Sequence, residues 1–240
     1  MAYQDMSSNW FYKKPVLAAD FNQLGLNDNI LRYQQLYINS DIIINEDIIT
    51  THSGFIINPY PLLCKNFTIE IGKTYSGNLY IIAEEKIEIA GNINALGYGS
   101  VGGRSSFSPD ENNGRSGLLP FDSSIRGGRG RVPGSPLNGG IGYGAGGGTG
   151  IEGTPIVYHP GGSGGGYIIL IANEIEIKNT STISANGGNG DGSAYSGGGG
   201  AGGIINLTYS ESLINNGTQT VTGGTGFESG SDGIIIINHI

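Results

Sequence analysis

Residues 161–203 read GGSGGGYIILIANEIEIKNTSTISANGGNGDGSAYSGGGGAGG: a glycine run, a dense apolar stretch, an alternating stretch and a glycine run again. YIILIA at 167–172 is rich in β-branched and aromatic residues, which suit a pleated, half-buried surface. EIEI at 174–177 alternates polar and apolar, the period of a strand with one wet face. Ile183 and Ala185 in TISAN mark a third short strand. No helix fits, because each glycine in a helix interior would cost about 1 kcal/mol.

The same unit recurs along the chain. Residues 77–99 read GNLYIIAEEKIEIAGNINALGYG. With Gly77 set against Gly166, LYIIA falls on IILIA, KIEI on EIEI and INALG on ISANG. A third copy starts at Gly203 (GIINLTY, closed by VTGGTG) and a fourth at Gly233 (GIIIIN). The steps from Gly166 to Gly203 to Gly233 are 37 and 30 residues, and the 89 from Gly77 to Gly166 is one unit plus an insertion. Periods of this size mark stacked arrays, in which no unit buries its apolar face alone. Ile168, Leu170, Ile175, Ile177, Ile204 and Leu207 are expected to share one core with residues 77–89. The competing reading is chance similarity among Ile-rich strands. The expected fold is all-β, a glycine-rich β-solenoid or a related layered β-structure.

Composition narrows the field. The 240 residues include 45 glycines, far above the usual share of roughly 7%. The glycines are aperiodic, which excludes collagen, and the apolar residues sit in discrete strands, which argues against wholesale disorder. The one cysteine, Cys64, cannot form an intrachain disulfide and reads as a buried apolar filler. There is no 18-residue apolar run for a membrane span and no apolar signal core at the N-terminus. A net charge of −8 argues against nucleic acid as a partner.

Four regions follow: 1–35 as an N-terminal attachment segment, 36–96 as opening strands and the first β unit, 97–165 as a Gly/Arg-rich insertion, and 166–240 as Gly-rich β repeats. In the first, Leu17, Phe21 and Leu24 recur at helical spacing and Gly25 would end the turn. A small helical or mixed element is expected there. Trp10, Phe11 and Tyr12 would serve as a cap over the repeats or as an anchor for docking. In the second, LYINSDIIINEDIIT and FTIEI (67–71) read as strands, the latter followed by a turn at Gly72 and Lys73.

PVLAADFNQL at 15–24 is similar to the short Ala-Asp-x-Asn segments near the start of many bacteriophage tail-fibre proteins. The glycine-rich remainder resembles the tail-fibre-tip adhesins of large contractile-tailed phages, in which glycine runs pack as polyglycine-II layers and display variable loops to the host. The first likeness covers about ten residues. The second covers most of 97–226 in character only. The chain departs from those adhesins in the long Ile-rich strands between its runs. That favours strands joined by glycine-rich turns over a pure polyglycine layer. The resemblance implies a virion or tail-like-particle protein made in the host cytoplasm. It implies attachment through Trp10, Phe11, Tyr12, Phe21 and Leu24 to other tail or baseplate proteins, and assembly as a homo-oligomer, with three copies the first expectation.

The insertion holds five of the six arginines: Arg104, Arg115, Arg126, Arg129 and Arg131. A structureless segment this long is unusual, but runs such as 139–150 can pack as extended chains because only glycine lets backbones approach so closely. RGGRGR at 126–131 is a single arginine–glycine copy on an acidic chain. It fits an anionic surface polymer, or a subunit salt bridge to an Asp or Glu, better than single-stranded nucleic acid. Aromatic rings in or beside glycine loops, Phe121, Tyr143 and Tyr158 among them, would stack on sugars or plug gaps left by glycine. The expected receptor-binding set is Arg104, Arg115, Phe121, Arg126, Arg129, Arg131, Tyr143 and Tyr158.

No enzyme, cofactor or metal is expected. GGNGD at 187–191 is one residue short of a calcium nonapeptide. His52, His159 and His239 have no ligand spacing, and no glycine run precedes Lys-Ser/Thr. Glycoside hydrolysis needs two opposed carboxylates. Glu88 and Glu176 occupy equivalent outward strand positions, which leaves Asp110, Glu111 and Asp122 as the better acids if there is an enzyme. The leading expectation is a receptor-binding adhesin for a host surface polymer. A structural spike or decoration protein and a polysaccharide depolymerase are the alternatives.

Overall fold

The computed structural model describes residues 37–38, 41–50, 61–103, 114, 126–130, 139–152, 157–191 and 197–240. The expected N-terminal helix, with Trp10, Phe11, Tyr12, Phe21 and Leu24, lies outside them. The described residues are all β, with no helix among them. With strands numbered in chain order, β1 (Tyr37–Ile38), β2 (Ile42–Ile44), β4 (Leu62–Ile69), β6 (Leu79–Ile89), β10 (Tyr167–Ile177), β12 (Ile204–Asn215) and β14 (Ile234–His239) form one parallel sheet. A second parallel sheet holds β3 (Ile48–Ile49), β5 (Thr74–Ser76), β7 (Asn92–Asn94), β11 (Thr182–Ser184) and β13 (Thr218–Thr220). The antiparallel pair β8 (Gly150–Glu152) and β9 (Val157–His159) stands apart.

The large sheet runs β1-β4-β6-β10-β12-β14, with β2 also on β4, and the small one runs β3-β5-β7-β11-β13; neither closes on itself. Each visit to the large sheet is followed by one to the small sheet, and the next visit lands beside the last. The register is the one that the internal sequence alignment expects. Ile168 stands beside Leu79 and Ile205, Ile175 beside Ile87, Ile183 beside Ile93, and Ile204 beside Ile234. Identical patterns stack because a slip of one residue would turn every isoleucine to the wrong face. β10 is one residue shorter than β6 and β12 through its middle, and the ladder shifts there. Bulges of this kind bend a sheet.

Between the sheets lies one apolar core. Ile42, Ile44, Phe67, Ile69, Ile81, Ile87, Ile89, Ile93, Ile168, Leu170, Ile177 and Ile183 are fully buried in it. Burying each such side chain is worth about 1.5–3 kcal/mol. Of the six residues expected in this core, Ile204 is displaced: it is only half-buried, and Ile205 takes the core position because it, not Ile204, is in register with Ile168. The strand expected at 67–71 starts earlier, at Leu62, and stops at Ile69. Ile71 is exposed in a turn whose Gly72 has φ of 73°, in the left-handed region that glycine tolerates. Cys64 is a buried filler, and burial pushes its thiol up to about 12. The expected equivalence of Glu88 and Glu176 holds, since they are direct neighbours on β6 and β10. Like charges so placed repel, and two lysines relieve it. Lys86 Nζ lies 2.6 Å from Glu176 and 3.1 Å from Glu88, and Lys178 pairs with both acids.

Candidate functional site

The peptide groups of the glycine runs are buried, and a buried N–H or C=O must find a partner. Residues 197–203 show how. The N–H groups of Gly197, Gly200 and Gly203 donate to Asp191, Gly188 and Ala185; those of Gly198 and Ala201 to Gly148 and Ala145; those of Gly199 and Gly202 to Glu228 and Ser231, all at 2.7–3.0 Å. Every third residue of the run meets every third residue of the same neighbour. Its carbonyls turn the same way: Gly197 and Gly200 accept from Phe227 and Gly224, Gly198 and Ala201 from Gly162 and Gly165, and Gly199 from Gly128. A chain that rotates its peptide groups by a third of a turn per residue makes no bonds with itself and needs neighbours on all sides.

At most positions of the run only glycine permits this. A Cβ on Gly199 would stand 1.9 Å from the Gly224 carbonyl oxygen. Ala201 is the one residue of the run with a side chain, and it is fully buried. The stretches 126–130 and 139–149 enter the block, the latter as the close-packed extended chain that its glycines allow. Gly127, Gly128, Gly130, Gly140 and residues 144–149 are buried, and Gly128 N donates to Gly199 O at 2.7 Å.

The block has two ends. At the inner one, Gly166 bonds Ala95, Gly203 bonds Ala185 and Gly233 bonds Val221, next to the sheets. At the outer one, Gly103 N donates to Gly147 O at 2.7 Å, Gly161 N to Gly103 O at 3.0 Å, Asp191 N to Pro160 O at 2.9 Å and Phe227 N to Gly197 O at 3.0 Å. Gly130 abuts Thr149 there, and the β8–β9 pair follows directly after Thr149. Phe227 and Val157 are exposed at this end.

Of the eight expected binding residues, Arg126, Arg129, Tyr143 and Tyr158 are described; Arg104, Arg115, Phe121 and Arg131 lie outside the described residues. Arg126 and Arg129 are brought together on Glu228. Its carboxylate accepts from Arg129 Nε at 2.7 Å, from the Arg129 backbone N–H at 3.0 Å and from Arg126 Nη2 at 3.4 Å. Burial would raise the Glu228 carboxyl, but the Arg129 hydrogen bonds and both guanidinium charges outweigh it and hold the group below the usual carboxylate range. Backbone bonds from Glu228 N to Arg129 O and from Ser231 N to Arg126 O complete the seam. Tyr143 belongs to the inner end, beside Gly144, whose N–H donates to Gly202. Tyr158 is on β9, opposite Ile151, at the outer end. The structure therefore does not gather these four into one patch. Sequence reasoning missed Glu228: it offered an acid of another subunit as one alternative for these arginines, and the acid they meet is in the same chain. It also missed Phe227, which is exposed next to Glu228.

GGNGD at 187–191 is part of the block, with Gly187, Gly188 and Gly190 donating to Thr222, Ser163 and Thr225. Asp110, Glu111 and Asp122 lie outside the described residues. No helix among the described residues is long and apolar enough to cross a membrane. No protein-family model, curated protein or solved structure matches this chain.

Proposed function

We propose that the protein is a β-solenoid with a polyglycine-II block built onto it, and that it acts as a non-enzymatic receptor-binding adhesin of a phage tail or tail-like particle. The observation that carries this reading is the glycine block itself, a buried set of hydrogen-bonded runs fixed beside the sheets, with Tyr158 and the exposed Phe227 at its outer end. A rigid scaffold that holds such side chains at one face is how binding surfaces are commonly built. The three-residue rotation of hydrogen-bond partners supports the polyglycine-II reading, and the stacked repeat register supports the solenoid. Residues 1–35 would dock the molecule to other tail or baseplate proteins. Of the expected binding residues, Tyr158 with the exposed Phe227 would contact a host glycan at this end. Arg126 and Arg129 would act mainly through Glu228, holding the insertion in place.

The engagement of those two arginines by an acid of the same chain also fits the second reading, a structural spike that touches only other particle subunits. Cell adsorption and binding to isolated bacterial surface polysaccharide separate the two. The adhesin reading expects binding by the full chain with no oligosaccharide released. It also expects that Tyr158→Ala with Phe227→Ala weakens binding about tenfold or more with an unchanged circular-dichroism spectrum. Polymer cleavage would favour a depolymerase, and no binding to any surface polymer would favour the spike.

A further inference from the structure

The apolar core ends in two different ways at its β14 side. Leu79, Ile168 and Ile205 stand in line with Ile235, and Ile81, Leu170 and Leu207 with Ile237. The earlier members of both lines are at most 3% exposed, but Ile235 is 39% and Ile237 50% exposed. The line of Phe67, Ile87 and Ile175 ends in the partly buried Leu213, and two lines beyond it close with amides. Ile69, Ile89 and Ile177 lead to Asn215, and Tyr75, Ile93 and Ile183 lead to Gln219. Asn215 Nδ2 donates to Gln219 Oε1 and Gln219 Nε2 to Asn215 Oδ1, both at 2.8 Å. Among the described residues, the far part of the core end thus carries its own polar cover, and the part under β14 is bare. An occupant of the bare part needs only the length of β14, which stops at His239, opposite Tyr209 and well short of Asn215.

The backbone of β14 narrows the choice. Ile234 N donates to Gly203 O and Ile240 N to Tyr209 O, each at 3.0 Å. Even-numbered residues therefore turn their peptide groups to β12, while those of Ile235, Ile237 and His239 point the other way. No strand among the described residues pairs with that edge. Open edges of this kind recruit other strands.

We propose that β14 pairs with β14 of a second copy of this chain, antiparallel, about a two-fold axis at Ile236. Outward groups at 235 and 237 then meet those at 237 and 235 of the other copy and exchange paired hydrogen bonds. A two-fold contact requires such self-complementarity. Strands of equal length cover the four bare isoleucines and leave both amide pairs in place. The pairing is independent of what the outer end of the glycine block binds.

Sedimentation and light scattering of the full chain are expected to give two copies. Ile237→Lys should weaken association by about tenfold or more while the spectrum and melting stay those of a folded chain. The register has its own test. Residues 236 of the two copies would face each other as a non-hydrogen-bonded pair with Cα atoms about 4.5 Å apart, within disulfide range. Ile236→Cys should therefore give a covalent dimer on mild oxidation, without interference from the buried Cys64, while Ile235→Cys should not. A wild-type chain that stays single, a three-copy assembly, or an Ile236→Cys chain that does not cross-link would each overturn the proposal.

Discussion

Ile168, Leu170 and Ile175 are buried in the sheets because their side chains are large, whereas Gly198, Gly199 and Gly202 are buried in the block because they have none. Both regions are made of long-range neighbours in strict register. In the sheets the backbone bonds run to two flanking strands and the apolar side chains supply the driving force. In the block the peptide groups of one run reach several neighbours in turn, and backbone packing fills the space that a core would occupy. The comparison teaches that register can be specified twice over in one chain. Isoleucine specifies it through which face is wet, and glycine through which carbonyl each N–H can reach.

The two regions should break differently. Ile175→Asp should have the largest effect. Ile175 is 1% exposed, and an unpaired carboxylate there costs several kcal/mol, a large part of a typical total of about 5–15 kcal/mol. Loss of the cooperative thermal transition is the expected result. Gly199→Ala comes next. The added methyl meets the Gly224 carbonyl, and overpacking of this kind costs about 1–3 kcal/mol, read as a lower denaturant midpoint. Ala201→Gly, two residues along the same run, should cost less, since it only removes a methyl.

Glu228→Gln should be the mildest, about 0.2–1 kcal/mol for a partly exposed pair, and it carries a pH signature. The Glu228 carboxyl is held below its ordinary value in the folded chain. Its contribution is therefore fully present above the unfolded value near pH 4.3 and is lost as pH falls through the folded one. Wild type and Glu228→Gln should differ in midpoint at neutral pH and converge in acid.

Much of the sheet region was legible in the sequence, because isoleucine at every second position states both the strand and its wet face. Ile204 and Ile205 show where that stops. Four consecutive apolar or neutral residues, GIIN, do not say which isoleucine faces in, and only the register with Ile168 decides it. In the block, the sequence showed that 139–150 could pack closely, but glycine has no side chain with which to name its neighbours. Nothing in GGGG at 197–200 points to Asp191, Gly148 or Glu228 as the acceptors. The Arg126–Glu228–Arg129 seam was half legible. The arginines stood out, but their acid is about 100 residues away in sequence and is placed only by the packing of the runs.

Native-state hydrogen exchange tests most directly whether the glycine block is an equal structural partner of the sheets. The amides of Gly198, Gly199, Ala201 and Gly202 are expected to exchange only by global unfolding, with the same opening free energy as those of Ile169 and Leu170 in β10. Exchange of the block amides with an opening free energy near zero, as in a mobile loop, while β10 stays protected, would contradict it.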